Sequence, residues 1–280
     1  MSLAFLFPGQ GSQSVGMGAD LFERFPDLVR EADKLLGYSL RSLCLEDPDA
    51  KLGRTEYTQP ALYVVSYLHA LSLIEDGLRP TLSAGHSVGE FAALASAGSI
   101  GFADGLQMVA KRGEIMSQVE GGGMAAVIGL DADVIRETLS SVSLLDIDLA
   151  NFNSPGQIVV SGPADQIKEI IAPLKEAGAK LVVPLKVSGA FHSRMMEQPA
   201  LQFQEFLGNF SFSQPQIPVY SNVEAQPYAD AETIPSILVR QIHSPVRWSE
   251  TIVKMRESGA QEFRECGPGN VLTKLLRQIP

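Results

Sequence analysis

The chain is poor in the residues that would commit it to redox, metal, membrane or nucleic-acid work. It has only two cysteines, Cys44 and Cys266, in no CxxC or metal-like spacing, and they read as free thiols of a reducing cytoplasm. Its four histidines are scattered without an HExxH or HxH pattern, so no metal site is expected. No basic run occurs, and 22 basic residues stand against 32 acidic ones for a formal net charge of −10. That balance argues against non-specific nucleic-acid binding, and an acidic partner would need a local basic patch. No apolar run is long enough to cross a bilayer, and the first residues lack a basic n-region and a small-residue cleavage site. The expectation is a cytoplasmic protein without membrane contact.

What is present is ordinary globular material: 280 residues, 45% hydrophobic and 19% charged. That length suits one large domain with a smaller insert. An apolar run over 3–7 ends at Pro8-Gly9 and reads as a buried strand feeding a tight loop. Helical spacing follows over 60–74, with Pro60 suited to a first turn. A brief strand over 81–84 leads to a helix over 88–97 that stops at Gly98, and a further helix runs from an Asp104 N-cap to about 119.

From Gly121 the pattern changes. Strand 124–130, helix 131–142, strands 146–152 and 157–161, helix 164–177 and strand 180–187 give the order βαββαβ, the ferredoxin-like split unit. The expected architecture is therefore α/β. A large domain resembling the α/β-hydrolases, with a mostly parallel sheet, comprises residues 1–119 and 189–280. Residues 120–188 form an inserted ferredoxin-like subdomain.

Gly85-His86-Ser87-Val88-Gly89 fits G-x-S-x-G at a strand-to-helix junction. A serine in that sharp turn is held in a strained conformation, and the flanking glycines let neighbouring backbones pass closely. Its hydroxyl then lies at a helix head, where the Val88 N–H is a natural oxyanion donor. The competing reading is a glycine-rich turn whose serine only caps the helix. A serine nucleophile needs a base. His69 lies within a helix and His86 is aimed away from its neighbour, which leaves His192 and His243, both in loops, tied. Arg112 shares a helical face with Val109 and Met116, while Lys111 and Glu114 fall on the other side. A guanidinium on an apolar stripe meets either an internal carboxylate or an anionic ligand.

Motifs spread over the whole length carry a family resemblance. They are Leu6–Gln13 (LFPGQGSQ), Gly85–Glu90 (GHSVGE), Lys111–Glu114 (KRGE), Gly189–Ser193 (GAFHS), Gln241–Trp248 (QIHSPVRW) and Cys266–Asn270 (CGPGN). Together they resemble the malonyl-CoA:acyl carrier protein transacylases. Within that family, Leu36–Leu40 and Tyr57–Tyr63 make the chain most similar to the free-standing acyltransferases that serve polyketide synthases lacking their own loading domains.

The resemblance implies Ser87 as nucleophile and His192, rather than His243, as base. Gln241 would orient the imidazole by its backbone carbonyl or its side chain, the Gln10 N–H would be the second oxyanion donor beside Val88, and Arg112 would clamp the malonyl carboxylate. It also implies malonyl-CoA as substrate, no bound cofactor, and acyl carrier protein or the carrier domains of a polyketide synthase as partner. Two rivals are an acyl hydrolase that clears stalled chains from carrier proteins and a catalytically silent docking subunit. Arg112 speaks against the first, and the set of Ser87, His192 and Arg112 against the second.

Overall fold

The computed structural model describes residues 2–187 and 189–280. The expected domain ends at residues 1 and 188 therefore lie outside the described residues. In chain order the strands are β1 (Ser2–Phe7), β2 (Leu82–Gly85), β3 (Gly122–Ile128), β4 (Asp148–Ser154), β5 (Gln157–Pro163), β6 (Leu181–Pro184), β7 (Val219–Tyr220) and β8 (Ala260–Glu265). Among the described residues they form two four-stranded sheets.

The first sheet has the order β7-β2-β1-β8 and is parallel throughout. Helices cover both faces, as a parallel sheet requires, so its central strand is apolar on both sides. Alternation along β1 sends Leu3, Phe5 and Phe7 into the main core, and Ala4 and Leu6 into a separate core with Trp248 and Leu272. The Gly89–Ser96 helix, buried on every side from Gly89 to Ala95, stands behind β2.

The second sheet has the order β4-β5-β3-β6 and is antiparallel throughout. With its intervening helices this is the βαββαβ order expected from the sequence. One face packs on its own helices through Ile135, Leu139, Ile167 and Leu174. The other face sends Met124, Ala150 and Val159 into the main core. Backbone hydrogen bonds join the sheet to the rest of the chain: the Val246 N–H donates to Ala150 O and the Phe152 N–H to Val246 O, each at 2.9 Å.

Several boundaries differ from the sequence reading. The helix expected over 60–74 is Thr55–Glu75, with Pro60 inside it. Its first turn is polar yet buried, through Thr55, Thr58 and Gln59, so apolar periodicity does not reveal it. The next helix is Phe102–Ser117, and its N-cap is Gly101 rather than Asp104, which lies in the first turn. The single helix expected over 164–177 is two, Ala164–Glu169 and Ile171–Glu176. Pro173 lacks an N–H, and its ring crowds the carbonyl four residues back, at Glu169, where the first helix ends. The strand expected over 180–187 stops at Pro184.

At the β2-to-helix turn a Cβ on Gly85 would overlap the Gly89 carbonyl and the Glu90 nitrogen, all backbone atoms. Gly85→Ala should therefore lower folding stability by about 3 kcal/mol, the upper end for overpacking. Urea unfolding checks this. A midpoint unchanged from wild type would show that the turn has room to spare.

Candidate active site

Ser87 follows β2 and precedes the Gly89–Ser96 helix. Its φ of 52° is in the left-handed region, which non-glycine residues rarely adopt and which surrounding contacts must enforce. Asn222 supplies that enforcement. Its Oδ1 accepts from the Ser87 N–H at 2.6 Å, and its Nδ2 donates to Gly85 O at 2.6 Å. A glycine is needed at 89 as well, because a Cβ there would overlap the Phe7 carbonyl.

His192 lies in the loop after β6, 4% exposed, with φ of 58°. Its Nε2 is 2.7 Å from Ser87 Oγ. Its Nδ1 is 2.8 Å from Gln241 O and 3.2 Å from Ser244 O. Both of those oxygens only accept, so the proton belongs on Nδ1 and the Nε2 lone pair faces the serine hydroxyl. Among the described residues no other histidine hydrogen-bonds the Ser87 hydroxyl, although His86 also lines the cavity. His86 Nε2 is 2.8 Å from Asn153 Oδ1, the His69 Nδ1 accepts from the Gly267 N–H at 2.9 Å, and His243 lines a neighbouring groove.

Arg112 projects from the Phe102–Ser117 helix beside Val109 and Met116, all buried, while Lys111 and Glu114 pair with each other on the exposed side at 2.9 Å. The guanidinium is 1% exposed. It donates to Gln59 Oε1 at 2.6 Å, to Gln241 Oε1 at 2.9 Å and to Ser87 Oγ at 3.2 Å. Its Nε–H is buried without an acceptor among the described residues. None of its partners is a carboxylate. Glu90, the nearby carboxyl group, is reached through the Gln241 amide, whose Nε2 donates to Glu90 Oε2 at 2.6 Å and to Ser87 O at 3.0 Å. Gln241 thus has separate tasks: its backbone carbonyl holds His192, and its side chain holds Arg112.

These groups line a cavity of about 320 Å³ between the two sheets, with Met116, Met124 and Phe191 among its apolar walls. Gln10 and Val88 line it too, and among the described residues the N–H of neither donates to a protein acceptor. The loop bearing Gln10 is tied down by its own side chains. Gln10 Oε1 accepts from Thr55 Oγ1 at 2.7 Å, and Gln13 Oε1 accepts from the Gly11 N–H at 2.7 Å.

Sequence reasoning missed Asn222 and Gln59, and for Glu90, the last residue of the Gly85–Glu90 motif, the sequence allows both a loop-orienting and a solvated helix position. Glu90 is wholly buried. Asn222 follows a strand of only two residues and carries no motif, so it gave no signal. Gln59 stood in the Tyr57–Tyr63 segment without an assigned task.

The surroundings of His192 favour its neutral ring. Burial pushes the His192 imidazole down to about 3, helped by the Arg112 charge, against the opposing pull of the Gln241 carbonyl. Burial also lowers the Arg112 guanidinium to about 10, with Glu90 acting the other way. A depressed histidine favours the neutral ring, so the unfolded chain binds its proton first, and this group's contribution to stability falls as pH drops below about 6.5. His192 should keep neutral-ring ¹⁵N shifts from pH 8 to about 5, where an ordinary histidine titrates near 6.5. A midpoint near 6.5 for His192 would contradict this burial.

Comparison with known proteins follows the same lines. The acyl transferase domain profile matches residues 4–279. The chain is 51% identical over 277 residues to the polyketide biosynthesis protein ThaF of Burkholderia thailandensis, covering 99% of this chain but only 24% of that one. It is 48% identical over 280 residues to the polyketide biosynthesis malonyl CoA-acyl carrier protein transacylase PksC of Bacillus subtilis, covering 99% and 96% of the two chains. The crystal structure of malonyl CoA-acyl carrier protein transacylase from Burkholderia pseudomallei superposes with a TM-score of 0.96 at 46% identity, covering 100% of this chain and 98% of that one. With nearly its entire length matched, the chain belongs to the acyl transferase domain family.

Proposed function

We propose that this protein moves a malonyl group from coenzyme A to the phosphopantetheine thiol of an acyl carrier protein, or of a polyketide synthase carrier domain, through a malonyl-serine intermediate. The observation that carries the reading is Arg112: a buried guanidinium that touches Ser87 Oγ and, among the described residues, has no carboxylate partner and an unpaired Nε–H. Such a cation is stable only with charge-assisted partners, and the substrate's free carboxylate is the missing one.

The geometry supports the following cycle. Ser87 Oγ attacks the thioester carbonyl as His192 Nε2 takes its proton. The Val88 and Gln10 N–H groups take the negative oxygen that develops. Collapse expels the coenzyme A thiolate, which receives the proton from His192. The carrier thiol then attacks the malonyl-serine ester, with His192 again as base, and Ser87 is restored. The Gln241 backbone carbonyl keeps the imidazole in one tautomer throughout, as an amide-type partner does in other nucleophile–histidine pairs. Pairing of the malonyl carboxylate with Arg112 also offsets the positive charge that depresses His192, so the right substrate strengthens the base.

The reaction needs only groups of this chain and its two substrates. We place it in the cytoplasm; no described helix is long and apolar enough to cross a membrane. The division into residues 1–119 with 189–280, and 120–188, puts the cavity between the two parts. The name of the PksC relative points to polyketide assembly as the setting. A hydrolase that clears stalled chains has no use for a buried carboxylate clamp.

Selectivity tests the reading. Arg112→Ala should cut kcat/KM for malonyl-CoA by about 1.5–3 kcal/mol for each charge-assisted hydrogen bond lost. Acetyl transfer should hold or rise, because acetyl never used the fork. Arg112→Lys should restore part of the loss, since an ammonium lacks the planar geometry. Equal losses for both substrates, in a variant with native circular dichroism, would make Arg112 structural.

A further inference from the structure

Glu90 has no part in the cycle above, yet it is 0% exposed and sits on a helix that is otherwise apolar through Phe91, Ala92, Ala93 and Leu94. An ionised carboxyl in such a place must be saturated with donors. It is: Gln241 Nε2 donates to Oε2 at 2.6 Å, the Asn222 N–H donates to Oε2 at 3.2 Å, and the Tyr228 hydroxyl donates to Oε1. Burial raises the Glu90 carboxyl to about 7, and these donors, with the Arg112 charge, pull it back toward the carboxylate.

Two of those partners reach the reacting groups. Gln241 Oε1 takes a hydrogen bond from Arg112 at 2.9 Å, and Asn222 Oδ1 takes one from the Ser87 N–H at 2.6 Å. The resulting chain runs cation, amide, anion. Gln241 can satisfy both neighbours in one orientation only, oxygen to Arg112 and nitrogen to Glu90.

This arrangement meets two opposed demands. A carboxylate in direct contact would balance the buried Arg112 charge but occupy the fork meant for substrate. No anion at all would leave a buried cation uncompensated. An anion one amide away balances the charge without taking the donors on the serine side, the unpaired Nε–H and the Nη2–H that now rests on Ser87 Oγ. We infer that Glu90 is the positioning residue for malonyl selectivity: acting through the Gln241 amide, it holds the Arg112 guanidinium at Ser87 and compensates its charge from outside the cavity. The inference rests on the reading of Arg112 as the carboxylate clamp.

The test compares kcat/KM for malonyl-CoA and acetyl-CoA in wild type, Glu90→Gln, Tyr228→Phe and Arg112→Ala. Glu90→Gln keeps the shape and removes the charge; its amide oxygen can still accept from Gln241 while its NH2 faces the Tyr228 hydroxyl. It should lower the malonyl-to-acetyl ratio about tenfold or more, the scale of one charged hydrogen bond. Tyr228→Phe removes only one of the carboxylate's donors and should lower the ratio in the same direction by less. A folded Glu90→Gln that loses both activities equally, or retains the ratio, overturns the inference while leaving the clamp reading intact. Should Glu90→Gln fail to fold, an unchanged ratio in Tyr228→Phe overturns it instead. A ratio unchanged in Arg112→Ala would sink the clamp reading, and the inference with it.

Discussion

A guanidinium held where water cannot reach it makes a heavy demand on the chain around it, and Arg112 makes that demand beside Ser87. The desolvation of such an ion is recovered only through charge-assisted hydrogen bonds of good geometry. The fold supplies them from distant segments: Gln59 from the long helix after the first strand, Gln241 from near the C-terminus, and the serine hydroxyl itself. These segments must dock correctly before the cation is tolerable. The same docking brings His192 within 2.7 Å of Ser87. The Arg112 contacts and the Ser87–His192 contact therefore form in one packing event.

The backbone shows what that event requires. Both Ser87 and His192 have positive φ, at 52° and 58°, and neither is a glycine. Strain of this kind persists only where neighbours over-determine it. Asn222 grips the serine turn from both sides, and Gln241 and Ser244 carbonyls fix the histidine ring. The antiparallel sheet contributes Met124 and Asn151 to the cavity wall, and its bonds to Val246 tie it to the segment that carries Gln241 and Ser244.

What the sequence could reveal follows the same physics. Apolar alternation and glycine punctuation are local, so the strand feeding Pro8-Gly9, the βαββαβ insert and the serine turn were all readable. Arg112 was readable because a charge on an apolar stripe is itself a local anomaly. Helix starts made of buried polar residues were not: Thr55, Thr58 and Gln59 look like loop chemistry until their partners Gln10, the Leu52 carbonyl and Arg112 are known. Glu90, Asn222 and Tyr228 were equally opaque, because each acquires its meaning from a partner far along the chain. Gln241 came through family resemblance, with its backbone and side-chain tasks unresolved. The structure gives each half of the residue a different partner.

The central claim is that Ser87, prepared by His192 and faced by Arg112, becomes a malonyl ester. Intact mass spectrometry after mixing the protein with malonyl-CoA addresses it directly. The account predicts a single malonyl adduct, confined to the peptide that contains Ser87, lost in Ser87→Ala and discharged when an acyl carrier protein bearing its phosphopantetheine thiol is added. An adduct that survives in Ser87→Ala, or a folded wild-type protein that acquires none, would contradict it.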